Sequence, residues 1–319
     1  MSAVAQSTRT GTPPPATPAE NSALARAGAW ARRAPLLPAL IFMIIITQLP
    51  FVVTLGISFM NWNAYYPDEI GFNGLDNYRR VLTDANTRSA IIVTVILTVA
   101  VVLISLVLGL LIALLLDRQF RGRGVVRTMM ITPFLIVPVA AAPLWKHALF
   151  NPEYGLFNGV LRWVGNLFGQ TWPQPDWISQ APLWAIIAAL VWQWTPFMML
   201  ILLAGLQSRP LDVVEAAKID GATSWQIFWN MTFPHLRQYI ELSALLGSVY
   251  VVQNFDAVFV ITAGGLGTAN LPYIIYQLFY TAHEYGRASA AGVIVVIATI
   301  IIATFALRTV STLFREETR

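Results

Sequence analysis

Cysteine is absent from the 319 residues, which excludes a disulfide framework, a cysteine-ligated zinc or iron–sulfur site and a thiolate nucleophile. Charge is scarce: Asp, Glu, Lys and Arg make up 11% of the chain, against about 25% in soluble globular domains. With 56% apolar residues and a mean hydropathy of +0.62, this excludes a disordered chain and argues against an ordinary soluble enzyme. Histidine is also sparse, and His147, His235 and His283 are dispersed without ligand spacing, so no metal site is expected. Gly264-Gly265-Leu266-Gly267 lacks the lysine and preceding strand of a phosphate loop, and no nucleophile elbow occurs. The chain is therefore expected to hold no catalytic centre, no nucleotide site and no cofactor.

Long apolar runs are what the sequence has in excess. Crossing about 30 Å of hydrocarbon takes about 20 apolar residues in a helix. Six stretches reach that length, Leu36–Met60, Ser89–Leu116, Val125–Leu149, Leu183–Leu206, Ile240–Thr262 and Ala288–Val310. The expectation is an all-α polytopic membrane protein with six transmembrane helices. Pro133, Pro138 and Pro143 fall in the third stretch, where prolines kink a span without forbidding it.

The net charge of +4 is a topology signal. With the N-terminus inside, Arg9, Arg26, Arg32, Arg33, Arg118, Arg121, Arg123, Arg127, Arg209, Lys218, Arg237, Arg308, Arg315 and Arg319 are cytoplasmic, fourteen of the 20 Lys and Arg residues. That split obeys the positive-inside rule, places both termini in the cytoplasm and removes nucleic acid as the explanation of the basic balance. The basic turn Gly122–Gly124 is expected beside lipid headgroups. Residues 1–33, rich in Ser, Thr, Ala and Pro, are expected to be a disordered cytoplasmic tail. Residues 34–312 then form the membrane domain and 313–319 a short cytoplasmic tail. No secretory signal with a cleavage site opens the chain, so the first span is expected to be retained. Trp62, Tyr65 and Tyr66 suit an aromatic belt, and Asn61–Arg88 and Phe150–Pro182 are long enough for a small extracytoplasmic cap.

The most informative segment, residues 207–239, connects the fourth and fifth stretches. Pro210 suits a first helical turn, Gly221 permits a left-handed stop, and Ala222–Thr232 reads as a second, aromatic-rich helix ended by Pro234. Asp212, Glu215 and Asp220 make the knob acidic, which suits a basic protein groove better than a lipid surface. Glu215-Ala216-Ala217, three residues, Gly221, nine residues, then Met231-Thr232-Phe233-Pro234 resembles the EAA motif of importer permeases of the ATP-binding-cassette class. Met231 and Phe233 replace the Ile and Leu of that pattern. Phe255-Asp256, Ile261–Gly265 and Gly286-Arg287-Ala288 look like the C-terminal half of maltose-type, MalF-like carbohydrate permeases, with Leu266 where they often have proline. Thr132–Pro138 and Trp145–Pro152 look most like sugar-alcohol permeases.

The resemblance implies the transmembrane domain of a type I ABC importer, in a bacterial inner membrane. Its partners would be a second homologous permease, two ATPase subunits that hold the ATP and magnesium, and an extracytoplasmic solute-binding protein. Glu215, Ala216, Ala217, Asp220, Gly221, Ala222 and Pro234 would belong to the coupling loop that receives the ATPase stroke. Polar groups inside a span are costly, and spans four and five carry Gln193, Trp194, Tyr250, Gln253 and Asn254. The resemblance favours Trp194, Phe197, Gly247 and Asn254 near the solute path, with Tyr250, Gln193 and Gln253 as further candidates. Gln193, Gln253 and Asn254 could instead tie helices together, and Asp256 could anchor the loop after it. No Lys or Arg lies inside these two spans, which favours a neutral sugar or sugar alcohol over glycerol phosphate. Another neutral solute, or an ion-coupled carrier built on Asp256, are the alternatives.

Overall fold

The computed structural model describes residues 34–313; the expected tails at 1–33 and 314–319 lie outside the described residues. Residues up to Val53 and from Thr54 onward form two units. The described part of the first is a turn at Ala34–Leu36 and most of helix α1, Leu37–Ser58. Its apolar side chains from Leu40 to Val53 are all exposed; a helix apolar on every side belongs in lipid rather than water.

The second unit opens with an antiparallel ribbon, β1 Met60–Asn61 and β2 Gly71–Phe72, with Met60 opposite Phe72. Asn77 of helix α2, Asp76–Thr83, is buried and donates from Nδ2 to the carbonyls of Ser58 and Met60 at 2.9 and 2.8 Å. Asn63 bridges Glu284, just before the last helix. The first segment expected in a cap is thus built partly of strands; two-residue strands carry no alternation for a sequence to display.

Helix α3, Ala85–Asp117, follows with Asp84 capping it by accepting from the Thr87 N–H at 2.8 Å. Three described helices, α1, α3 and α8 (Pro182–Gln207), are each long and apolar enough to cross a bilayer. The third expected span is not one rod. Helix α4, Arg123–Leu135, meets α5, Pro138–Pro143, and its π-helical continuation Leu144–Leu149 at 95°. Val137 precedes Pro138, whose ring disfavours the helical conformation there, and its φ −61 and ψ 138 are extended. Beyond it, α6 (Leu156–Leu167) and α7 (Trp177–Gln180) lead to α8.

After α8 come α9 (Leu211–Ile219), α10 (Ser224–Ile227) and α11 (Phe233–Val252). The fifth expected stretch is thus displaced: α11 starts seven residues earlier, and α12, Asp256–Ile261, is a separate helix. Asn254 lies at the break, its Oδ1 accepting from the Ala257 N–H in the first turn of α12 at 3.3 Å. At the other end Lys146 Nζ donates to the Val260 carbonyl at 2.7 Å, a cation at a helix C-terminus. The following loop is closed by Thr262 and Thr268, whose Oγ1 atoms lie 2.6 Å apart. Asp256 makes no hydrogen bond to it among the described residues. Leu266 there has φ +54, which a proline, held near −65°, could not adopt. Helices α13, Leu271–Tyr276, and α14, Tyr285–Leu313, complete the described residues.

The core lies where α3, α8 and α11 pack. Leu97, Val101, Ile186, Leu190, Met198 and Val251 are buried together, and Ala113, Leu116, Leu202, Leu206 and Leu236 form a second cluster nearer the EAA segment.

Candidate functional site

The EAA segment is a stiff hairpin. Helix α9 ends in a Schellman motif: the Ala222 N–H donates to the Ala217 carbonyl at 2.9 Å and the Gly221 N–H to Lys218 at 3.1 Å. Gly221 sits at φ +84 with open space around it, so its backbone conformation, not its surroundings, demands glycine. Only Ala222 separates this stop from the next start. Thr223 and Gln226 form a capping box, with the Thr223 N–H donating to Gln226 Oε1 at 2.8 Å and the Gln226 N–H to Thr223 Oγ1 at 3.3 Å. The signal Thr223-Ser-Trp-Gln226 is present in the sequence and was missed.

Asp212, Glu215, Ala216 and Asp220 are exposed on the hairpin, Ala217 and Ala222 half-buried. Glu215 has no ion-pair partner among the described residues. Exposed Val213, Ile219 and Trp225 accompany these acids. Pro234 does not end the second helix, contrary to expectation. The chain is α-helical to Ile227, π-helical over Phe228–Thr232 and α-helical again from Phe233. The wider turn, with the Phe233 N–H bonded to the carbonyl of Phe228, accommodates a proline ring that would clash in an unbroken α-helix.

The hairpin base is fastened by residues that sequence reasoning passed over. Arg209 Nη2 lies 2.5 Å from Asp117 Oδ2, at the end of α3, and its Nη1 donates to Thr232 Oγ1 at 3.1 Å. Ser208 Oγ lies 2.7 Å from the Tyr239 hydroxyl and 3.1 Å from His235 Nε2, which is also 3.1 Å from the Gly205 carbonyl. One knot of side chains thus ties the hairpin to α3, α8 and α11. No local signal could have disclosed it, since Asp117 and Arg209 are 92 residues apart.

The solute-path candidates separate into two groups. Trp194 stacks on Tyr250 with centroids 5.4 Å apart, and Phe197 meets Trp194 edge-on at 5.8 Å. Phe134, from α4, stacks on Phe197 at 5.3 Å and completes an aromatic wall. Tyr250 is 56% exposed, whereas Trp194 Nε1 is buried and lacks an acceptor among the described residues. The remaining candidates make contacts within the protein. Gln193 is buried and donates from Nε2 to the Ile136 carbonyl at 3.1 Å, at the break in the third span. Asn254 Oδ1 accepts from the Ala257 N–H while its carbonyl accepts from Asn270 Nδ2 at 2.6 Å. Exposed Gln253 bonds back to the Val249 carbonyl at 3.0 Å. Gly247 is buried against α8, where a Cβ would overlap Met198 Cε. An apolar cavity of about 530 Å³ is lined by residues including Leu108, Met129, Trp192 and Thr195 and by none of the four aromatic-wall residues.

Residues 105–315 match the family model for the binding-protein-dependent transport system inner membrane component. The chain is 36% identical over 265 residues to a probable ABC transporter permease protein, y4oQ, of Sinorhizobium fredii, covering 82% of this chain and 84% of that protein. It is 33% identical over 263 residues to the trehalose/maltose transport system permease protein MalF of Thermococcus litoralis, covering 81% and 86%. In fold it is similar to a chain from the crystal structure of a bacterial ABC transporter involved in import of the acidic polysaccharide alginate. That match has a TM-score of 0.77 at 22% identity and covers 92% of this chain and 100% of the other.

Proposed function

The chain belongs to the family of binding-protein-dependent transport system inner membrane components, and from that premise we propose that it carries a neutral sugar or sugar alcohol through the membrane. It is a non-enzymatic permease subunit of an ABC importer. In the proposed assembly it pairs with a second permease and stands on two ATPase subunits, which hold the ATP and magnesium. A binding protein delivers the solute from outside. Both termini lie in the cytoplasm of a bacterial cell, in keeping with the distribution of Lys and Arg.

The observation that carries this reading is the doubly capped, acidic hairpin with its base tied to three spans. A closing movement of the ATPases can be passed on only by something that does not bend. A single residue, Ala222, lies between the Schellman glycine that stops one helix and the capping-box Thr223 that starts the next. Exposed Glu215 is available for a charge-assisted bond to an Arg or Lys of the ATPase. Through Arg209 and Ser208 the movement reaches α3, α8 and α11.

The aromatic wall supports a polyhydroxylated solute. Ring faces cover the C–H side of a sugar, and Trp194 Nε1–H, which has no acceptor among the described residues, is a donor for one hydroxyl oxygen. No Lys or Arg lies within Leu183–Leu206 or Ile240–Thr262, which favours a neutral solute over a phosphorylated one. Relatives named for trehalose and maltose transport point the same way. The test is uptake of labelled trehalose, maltose and sugar alcohols by cells with and without the chain, alongside cells expressing Glu215→Lys. Loss of one solute's uptake in both, with the variant normally inserted, is the expected result. Unchanged uptake by the variant would overturn the coupling role.

A further inference from the structure

The π-helical turn after α5 ends at Leu149 and α8 starts at Pro182, so the segment between them leaves and re-enters the bilayer on one side. Within it, helix α6 presents three distinct sectors. The first faces the protein. Asn158 there is fully buried, donating from Nδ2 to the carbonyls of Pro152 and Pro175 at 3.0 Å and accepting from Trp177 Nε1 at 2.9 Å. Phe157 packs beside it, edge-on to Trp145, Phe150 and Trp177. The second sector, Gly159, Arg162 and Asn166, is an exposed polar strip. The third is apolar and bare: Leu156, Val160, Trp163 and Leu167 are 57%, 49%, 64% and 64% exposed. They share an arc of about 60° at the helical spacing of 3.6 residues per turn.

We propose that α6 lies in the headgroup region of the leaflet on its side of the membrane, with this apolar arc against the lipid acyl chains. Apolar surface of this extent is costly to leave in water, so the arc is expected to be covered throughout the working cycle. A binding protein that comes and goes would leave it in water between visits. The apolar helices on either side of the segment are also exposed where they meet it: Leu144 before it and Trp184 at the start of α8 are 40% and 64% exposed. The only charged residue on α6, Arg162, stands on the polar strip. Trp163 and the adjacent Phe168, 70% exposed, supply the large rings that favour an interfacial depth. This inference rests on membrane insertion alone and is independent of the solute.

The absence of cysteine makes the test direct. Val160→Cys, Trp163→Cys and Asn166→Cys would each carry a polarity-sensitive fluorophore. The purified complex would be placed in nanodiscs of phosphatidylcholine and phosphatidylglycerol, with or without a nitroxide lipid labelled near the acyl carbonyl. Labels at 160 and 163 are expected to shift to the blue, to be quenched by the nitroxide lipid and to resist aqueous iodide; the label at 166 should show the reverse. Iodide quenching at both 160 and 163, or protection there from both quenchers by a protein subunit, would overturn the proposal. Reading two positions in parallel guards against one variant that fails to assemble.

Discussion

At the scale of single residues, Gly221 and Trp194 separate two kinds of cost. Gly221 has φ +84 and no neighbour that a Cβ would meet, so Gly221→Ala should cost about 1–2 kcal/mol through backbone strain alone. Solute uptake should fall while membrane insertion is unchanged, measured by transport against a membrane-fraction immunoblot. Gly221→Asp should behave alike and more severely. Trp194 differs in that its indole does two things. Trp194→Phe keeps a ring to stack on Tyr250 but loses the Nε1–H, whereas Trp194→Ala loses both. The expected order of the uptake KM is wild type, then Phe, then Ala, read from concentration-dependent uptake; equal values for all three would remove Trp194 from the path. The amides Gln193 and Asn254 show why a polar residue in a span is an ambiguous sign. Membrane helices need such groups to satisfy backbone freed by prolines and breaks, for about 0.6 kcal/mol per bond on average.

At the scale of elements, stiffness at the hairpin comes from back-to-back caps. Thr223→Val removes the side-chain acceptor of the capping box and should cost about 1 kcal/mol locally. Hydrogen exchange should accelerate over residues 222–227 without spreading to α3 or α8, and solute moved per ATP should drop in proportion. The bent third span and the π-helical entry to α11 obey one rule: a proline withdraws a donor and demands space. Where Val137 could turn extended, the helix broke; where the chain could widen over Phe228–Thr232, it carried on through Pro234. A stop signal read from proline alone cannot distinguish the two outcomes, because a wider turn relieves the same clash.

At the scale of the whole molecule, the proposed coupling path runs through an ion pair between Arg209 and Asp117, each side chain 20% exposed. A hydrogen bond to a charged group is worth about 1.5–3 kcal/mol. Arg209→Asp should therefore loosen the hairpin from α3, leaving ATP hydrolysis by the assembled complex while transported solute per ATP falls. The swap Asp117→Arg with Arg209→Asp should restore part of that ratio, a recovery that no effect of Arg209 on folding alone would produce. Topology is tested at this scale too: a reporter active only in the cytoplasm, fused after Arg319, should be active.

How much was legible follows from the range of the forces involved. Membrane insertion, the helical class and the EAA hairpin with its glycine turn were written in local composition and spacing, since hydrophobic length, charge and a left-handed backbone position are properties of neighbouring residues. The sequence by itself thus determined that the chain crosses a membrane, and where its acidic elbow lies. Only the tertiary structure decided that Arg209 grips Asp117, that Gln193 serves the carbonyl of Ile136, and that Phe134 joins Trp194, Phe197 and Tyr250 in one wall. Those pairings join residues far apart in the chain. Their partners are set by how helices bend and pack, which no single stretch of sequence encodes.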